Sequence, residues 1–322
     1  MSDYQSPLLQ LPGAVAGDGL DAPVAAHYGS FNGEQRTLES GEGFVDLSHR
    51  GVVRISGPDR LTWLHSLTSQ HLEHLQPGVA TGALVLSPQG HVEHALFGTD
   101  DGEAFTAHVE PGEAPALVDW LDRMRFMMRV EVADVTDELA VVWRPAARVE
   151  SVPYSGYVLV PRGELGTFAQ AAGPACGMWA FEALRIARGE PRLGLDTDHR
   201  TIPNEAGWIG PAVHLDKGCY RGQETVARVH TLGRPPRRLT LLHLDGSDNR
   251  LPARGSELVS ADGKVVGFVG TSARHHELGP IALAMVKRNV AVDAVLETDG
   301  VVASQEVVVD PEVGLHVRPQ LR

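Results

Sequence analysis

The sequence predicts an α+β protein that ends in a small antiparallel β-barrel, and three observations carry that reading. At 322 residues the chain exceeds the roughly 250–300 residues at which a single core stops growing, so more than one compact unit is expected. Up to Gly233-Arg234-Pro235-Pro236, helical periodicity alternates with hairpin-length strands, the pattern of an α+β layer rather than a doubly wound sheet. Beyond that pair of prolines, six short strands follow with no convincing helix, as in a closed barrel or sandwich. The resulting plan is an N-terminal arm at 1–30, an α+β region at 31–235 built of two interleaved subdomains, and a barrel at 236–322.

Residues 1–30 contain Pro7, Pro12, Gly13, Gly17, Gly19 and Pro23 with little periodicity, and read as a loosely held arm. Structure begins near Gly41, with Phe44-Val45-Asp46-Leu47 and the strand-like Val52-Val53-Arg54-Ile55. Ser56-Gly57-Pro58-Asp59 opens a helix, because proline is tolerated in the first turn, and Leu61, Leu64 and Leu67 give it an apolar stripe. Residues 83–97 read as two strands around Ser87-Pro88-Gln89-Gly90. Leu117, Trp120, Leu121 and Met124 recur at helical spacing. Strands are expected near 129–135, 139–143 and 156–160. A helix should run from Gly177 to Arg188, stopped by Gly189 with Pro191 beyond. The barrel strands fall near 237–245, 256–260, 264–272, 280–287, 293–298 and 301–309, with Asp262-Gly263 and Asp299-Gly300 as hairpin turns.

Composition narrows the chemistry. The 41 acidic and 28 basic residues leave a formal charge of −13, which argues against a broadly basic nucleic-acid binder. No apolar run reaches the ~18–20 residues of a membrane span. The opening Met1-Ser2-Asp3-Tyr4 lacks a secretory pattern, so a cytoplasmic location with no membrane partner is expected. Cys176 and Cys219 are the only cysteines, too few for a disulfide scaffold or for an all-cysteine zinc or iron–sulfur site within one chain. P-loop, Rossmann, H-E-x-x-H and G-x-S-x-G patterns are absent. Of the 15 histidines, His71-Leu72-Glu73-His74 and His91-Val92-Glu93-His94 form short clusters. Both read as solvated or hydrogen-bonded residues, and no metal is expected. On a strand His91 and Glu93 share one face while His94 takes the other, which leaves Glu93 and His94 as candidates for polar contacts in a ligand pocket.

The informative stretch is Lys217-Gly218-Cys219-Tyr220-Arg221-Gly222-Gln223-Glu224. It sets a thiol in a glycine-bracketed turn ahead of a helix that runs to about Leu232. There the helix N-terminus together with Lys217 and Arg221 would favour thiolate. Cys219 is therefore the candidate reactive thiol, with Lys217 assisting it, and Cys176 is expected to be structural. Arg221, Arg228, Arg234, Arg237 and Arg238, with Arg185, Arg188 and Arg192 upstream, suggest either an anionic ligand or a solvated arginine face.

This octet fits the K-G-C-Y-x-G-Q-E signature, and the chain resembles the YgfZ-type folate-binding proteins. Arg185-Ile186-Ala187-Arg188-Gly189-Glu190-Pro191, Ile202-Pro203-Asn204-Glu205-Ala206-Gly207-Trp208, Phe44-Val45-Asp46-Leu47-Ser48 and Gly267-Phe268-Val269-Gly270-Thr271-Ser272 are similar to segments of the glycine-cleavage aminomethyltransferase, or T-protein. The resemblance implies a ferredoxin-like, T-protein-type folate-binding core with a C-terminal barrel, and tetrahydrofolate or a one-carbon derivative as ligand. It places Glu205 on the pterin, where a carboxylate accepts paired N–H bonds. It also places Arg228 on the glutamyl carboxylates, and assigns Glu93, His94, Tyr220 and Gln223 to the same folate site. T-proteins carry an aspartate in the segment that here reads Gly90-His91-Val92-Glu93-His94, and that aspartate is missing. The resemblance thus implies an accessory protein for assembly or repair of iron–sulfur proteins, including tRNA-modifying enzymes, with iron–sulfur clients or assembly proteins as partners. The alternative is a tetrahydrofolate-dependent aminomethyl or one-carbon transferase.

Overall fold

The computed structural model describes residues 4–316, apart from 150, 151, 153 and 249. By internal contact the chain forms two compact units. The first comprises 1–85, 94–181 and 211–218, and the second 86–93, 182–210 and 219–322. Each unit is thus built from segments discontinuous in sequence, which contiguous composition shifts do not reveal.

In the first unit, the segment expected as a loose arm is ordered from Tyr4. Its strands β1 (Val15–Ala16) and β2 (Ala25–His27) pair antiparallel, Leu8 and Val24 are fully buried, and the Tyr4 hydroxyl donates to Ser48 Oγ at 2.8 Å. Helix α1 (Phe31–Glu39), not anticipated from a stretch interrupted by Gly33, follows. Strand β3 (Phe44–Asp46) precedes β4 (Gly51–Ser56), and α2 (Arg60–Leu67) starts at the predicted Pro-Asp signal. Strands β5 (Thr81–Leu86) and β6 (Val92–Asp100) are the two read around Ser87–Gly90, and β7 (Ala104–Val109) comes next. All six β7 residues are buried, including Thr106 and His108, so the strand lacks the alternation that would announce it.

Helix α3 (Ala114–Arg123) and β8 (Glu131–Asp134) complete a five-stranded sheet in the order β5-β6-β7-β4-β8. Its core joins Val53, Ile55 and Phe105 to Trp63 and Leu64 of α2 and to Leu117 and Leu121 of α3. A second sheet, ordered β10-β9-β3-β11, adds β9 (Leu139–Trp143), β10 (Tyr157–Pro161) and the short β11 (Ala175–Cys176), with α4 (Leu165–Ala171) packed on β10.

The second unit holds the end of α5 (Met178–Ala187), α6 (Gln223–Leu232) and the barrel strands. These are β12 (Arg237–Leu244), β13 (Glu257–Ser260), β14 (Val265–His275), β15 (Gly279–Lys287), β16 (Leu296–Thr298) and β17 (Val301–Val307), closed in the order β12-β15-β14-β13-β16-β17. All six pairings are antiparallel. Alternation along β12 sends Leu242 and Leu244 into one cluster with Leu258, Val269 and Leu296. Leu239 and Leu241 join Ile281 and Leu283 in another, capped by Ala183 and Ile186 of α5. The predicted α+β arrangement with a C-terminal antiparallel barrel is thus what the chain adopts. No helix among the described residues is long and apolar enough to cross a membrane.

Candidate functional site

Most of the sequence-predicted site residues fall in the second unit, on three segments that meet there. The hairpin tip at 86–93 approaches the signature turn so closely that a Cβ on Gly222 would lie 2.4 Å from the Ser87 carbonyl oxygen, and one on Gly90 would lie 2.7 Å from Thr225 Cβ. Gly222 sits at φ +79° immediately before α6, a conformation and a proximity that only glycine satisfies cheaply. Arg221 Nη1 donates to Glu93 Oε2 at 2.9 Å, and the Val92 N–H donates to the Thr201 carbonyl at 2.9 Å. Helix α6 also packs against the short 3₁₀ turn Pro203–Glu205.

That turn carries the predicted pterin carboxylate. Glu205 is buried, and its Oε1 accepts from Arg237 Nε at 2.9 Å. Its Oε2 accepts from Arg237 Nη2 at 2.8 Å and from the Ile202 N–H at 3.1 Å. Arg237 is a forked connector, since its Nη1 and Nη2 also donate to Asp198 at 2.7 and 3.0 Å. Burial pulls the Arg237 guanidinium down, but the bonds to Glu205 and Asp198 outweigh it and raise its pKa. At Asp198 burial acts to raise the pKa, while the bonds from Arg237 and Thr201 prevail and bring it to about 2. Beside this pair, Asn204 Oδ1 and Trp208 Nε1 are buried and have no hydrogen-bond partner among the described residues. Burying a polar atom unpaired costs about 1–3 kcal/mol, so one turn holds an unused acceptor, an unused donor and a carboxylate with one lone-pair site to spare.

The remaining candidates are distributed as follows. Cys219 is exposed, whereas Cys176 is buried, and burial together with Glu34 pushes the Cys176 thiol up to about 12. Tyr220 is buried, which raises its phenol to about 12, and Gln223 opens α6. Arg228 is exposed on α6 and forms no ion pair among the described residues. His94 and Lys217 belong to the first unit. There His94 Nδ1 lies 3.8 Å from Glu113, and the Lys217 ammonium donates to the carbonyl oxygens of His65 and Thr68. Burial lowers the Lys217 pKa to about 8.

Residues 9–148 match the family model of the GCVT N-terminal domain. An aminomethyltransferase of Nostoc is 27% identical over 321 residues, covering 85% of this chain and 84% of that protein. An aminomethyltransferase of Geobacillus kaustophilus is 28% identical over 321 residues, covering 85% and 86%. The crystal structure of the glycine cleavage system aminomethyltransferase T from Bartonella henselae shares the fold at a TM-score of 0.78 and 18% identity, over 95% of this chain and 97% of that one. The chain is thus similar to aminomethyltransferases over most of its length and shares the fold of the T-protein structure, while the YgfZ-type resemblance rests on the octet alone.

The structure adds two groups that sequence reasoning did not single out. Asp198, the second anchor of Arg237, carries no motif of its own. In the first unit, His65 and His214 come against His71, with ring centroids 4.8 and 5.3 Å from it. Nothing local links His214 to the others, because more than 140 residues of chain separate them.

Proposed function

We propose that the protein binds tetrahydrofolate or a one-carbon derivative in its second unit and serves as an accessory factor for assembly or repair of iron–sulfur proteins, presenting Cys219 to its clients. The observation that carries the folate reading is the Pro203–Trp208 segment, buried except at Gly207. Asn204 Oδ1 and the spare lone pair of Glu205 Oε1 are acceptors suited to the N–H groups of an amino-pyrimidine edge, and Trp208 Nε1 is a donor suited to a ring nitrogen or carbonyl. When bound, the folate supplies a carrier for a one-carbon unit. Glu205 orients it, and the Asp198 anchor holds Arg237 in place as Glu205 turns part of its bonding capacity to the ligand. Arg228, without an ion pair among the described residues, is suited to the glutamyl carboxylates.

The accessory role is favoured by the exposed thiol and by the position that matches the T-protein aspartate. Glu93 stands there in place of the aspartate, and its Oε2 is paired with Arg221. Two cysteines in the whole chain suit contact with a cluster in transit better than its storage. The transferase reading is favoured by the matched relatives, which are aminomethyltransferases covered over most of their length. It requires turnover of a lipoyl-bound aminomethyl donor with tetrahydrofolate.

Calorimetric titration with tetrahydrofolate should show one site, weakened by roughly 10–100-fold in Glu205→Ala, the loss expected for a charge-assisted hydrogen bond. Equal affinity in wild type and variant would overturn the folate site. In a null strain, loss of iron–sulfur enzyme activity should be rescued by wild type and not by Cys219→Ala. Equal rescue would remove the thiol from the role.

A further inference from the structure

We propose that His65, His71 and Glu73, with His214 completing the set, form a binding site for a single transition-metal cation of the zinc class. The inference does not depend on the folate reading, because all four residues lie in the first unit. One donor atom each of His65, His71 and Glu73 lies within 4.8 Å of the other two. Zinc bonds of ~2.0–2.2 Å to imidazole nitrogen and carboxylate oxygen hold ligand atoms within about 4 Å of one another, so side-chain adjustments of less than an ångström close these three, and a rotation of exposed His214 brings in the fourth. His71 is the hub, its ring lying 4.8 Å from His65 and 5.3 Å from His214. Imidazoles with one carboxylate favour zinc, nickel or copper over magnesium or calcium, which prefer all-oxygen shells.

The backbone that carries these donors is cross-braced, as a pre-organised site requires. Ser69 Oγ donates to the Ala212 carbonyl at 2.7 Å and accepts from the Leu84 N–H at 3.0 Å. The His214 N–H donates to the Ser69 carbonyl at 3.0 Å, and the His71 N–H donates to Gln70 Oε1 at 2.9 Å. Lys217 ties the same segment to the carbonyls of His65 and Thr68. The end of α2, the 70–74 loop and the 211–218 segment are thereby locked together, and each contributes a ligand.

His65 supplies a specific signature. Its Nδ1 accepts from the Leu72 N–H at 3.3 Å, which places the ring proton on Nε2. A metal at Nδ1 takes that lone pair, and a metal at Nε2 moves the proton to Nδ1. In either case the Leu72 N–H loses its acceptor, so its amide resonance reports ligation.

The test is zinc titration of the full-length protein by calorimetry, with amide NMR of Leu72. One equivalent should bind, and the Leu72 amide should shift as it does. His71→Gln and His214→Ala should each weaken binding by at least tenfold, whereas His199→Ala, at an exposed histidine of the second unit, should not. Native-like spectra of each variant establish that it is folded, and His214, being exposed, offers a second substitution if His71→Gln disturbs the loop. Binding unchanged in both His71→Gln and His214→Ala, or zinc uptake that leaves the Leu72 amide in place, would overturn the site.

Discussion

Lys217 and Cys219, two positions apart in the signature, face different physical demands. The Lys217 ammonium is buried and donates to two backbone carbonyls at the end of α2. Removing it strands those acceptors, at about 1–3 kcal/mol for each unsatisfied group. Lys217→Met should therefore lower the free energy of unfolding by about 2 kcal/mol or more, read from urea denaturation. Cys219→Ala, at an exposed turn, should change it by less than ~0.5 kcal/mol. The thiols should differ as sharply. Exposed Cys219 should take up iodoacetamide in the native protein near pH 8, while Cys176, buried and raised to about 12, should react only on unfolding. Peptide mapping after timed alkylation checks this, and equal rates would contradict the assignment. The signature made the thiol legible, but the task of its lysine was not. The carbonyls that Lys217 satisfies lie about 150 residues away, and no local pattern encodes them.

The barrel strands show why some elements were readable and their closure was not. Asp299-Gly300 announces a hairpin because both residues need positive φ, and they take +49° and +75°. The pairing of β12 with β17, which closes the barrel, joins strands at opposite ends of the domain and leaves no local mark. The segment Gly267–Ser272 resembles the T-protein for a reason that only the fold displays. Its Gly270 lies against Asp196, where a Cβ would sit 2.4 Å from Oδ1. Asp196 in turn accepts from Arg185 Nη1 at 2.6 Å, from the Thr271 N–H at 2.8 Å and from the Arg192 N–H at 2.8 Å. Gly270→Ala must push Asp196 off these donors while Arg185 keeps Glu182, so it should cost about 1–3 kcal/mol in thermal or chemical unfolding. A neighbouring carboxylate should govern acid behaviour. Asp198 is held at about 2, below its ordinary 3.8, so the stability it contributes is complete above about pH 4 and is lost as pH falls toward 2. That contribution amounts to about 1–2 kcal/mol, allowing for water at its part-exposed side chain. Asp198→Asn should flatten the pH dependence in that window, and an unchanged acid limb would show that Arg237 does not hold it.

Across the whole molecule, six of the eight arginines that looked like a basic patch meet carboxylates, and buried Arg238 is held by Gln305 Oε1 and the Lys287 carbonyl. Glu224 is the sole acidic residue between Lys217 and Arg238 in sequence, yet the fold supplies carboxylates from elsewhere. Arg185 meets Glu182 and Asp196, Arg188 meets Glu190, and Arg192 meets Glu182. Arg221 meets Glu93, Arg234 meets Glu312, and Arg237 meets Asp198 and Glu205. Arg228 alone in this group is both exposed and without an ion pair among the described residues. Clustering along the chain therefore overstated the field that a ligand would meet, and the net charge of −13 is the better guide to long-range interactions. A polyanion needs several phosphates neutralised at once, and each one lost lowers the salt dependence of binding by about one power of the salt concentration. With a single uncommitted cation in this group, RNA should be retained weakly, and the slope of log affinity against log salt should stay near one or below. A small dicarboxylate, by contrast, needs only one guanidinium and a hydrogen-bonding turn. Filter binding with tRNA at 50 and 200 mM salt measures this directly. A steep slope, of the size that six or more phosphate contacts produce, would show that the carboxylates release their arginines on contact with RNA.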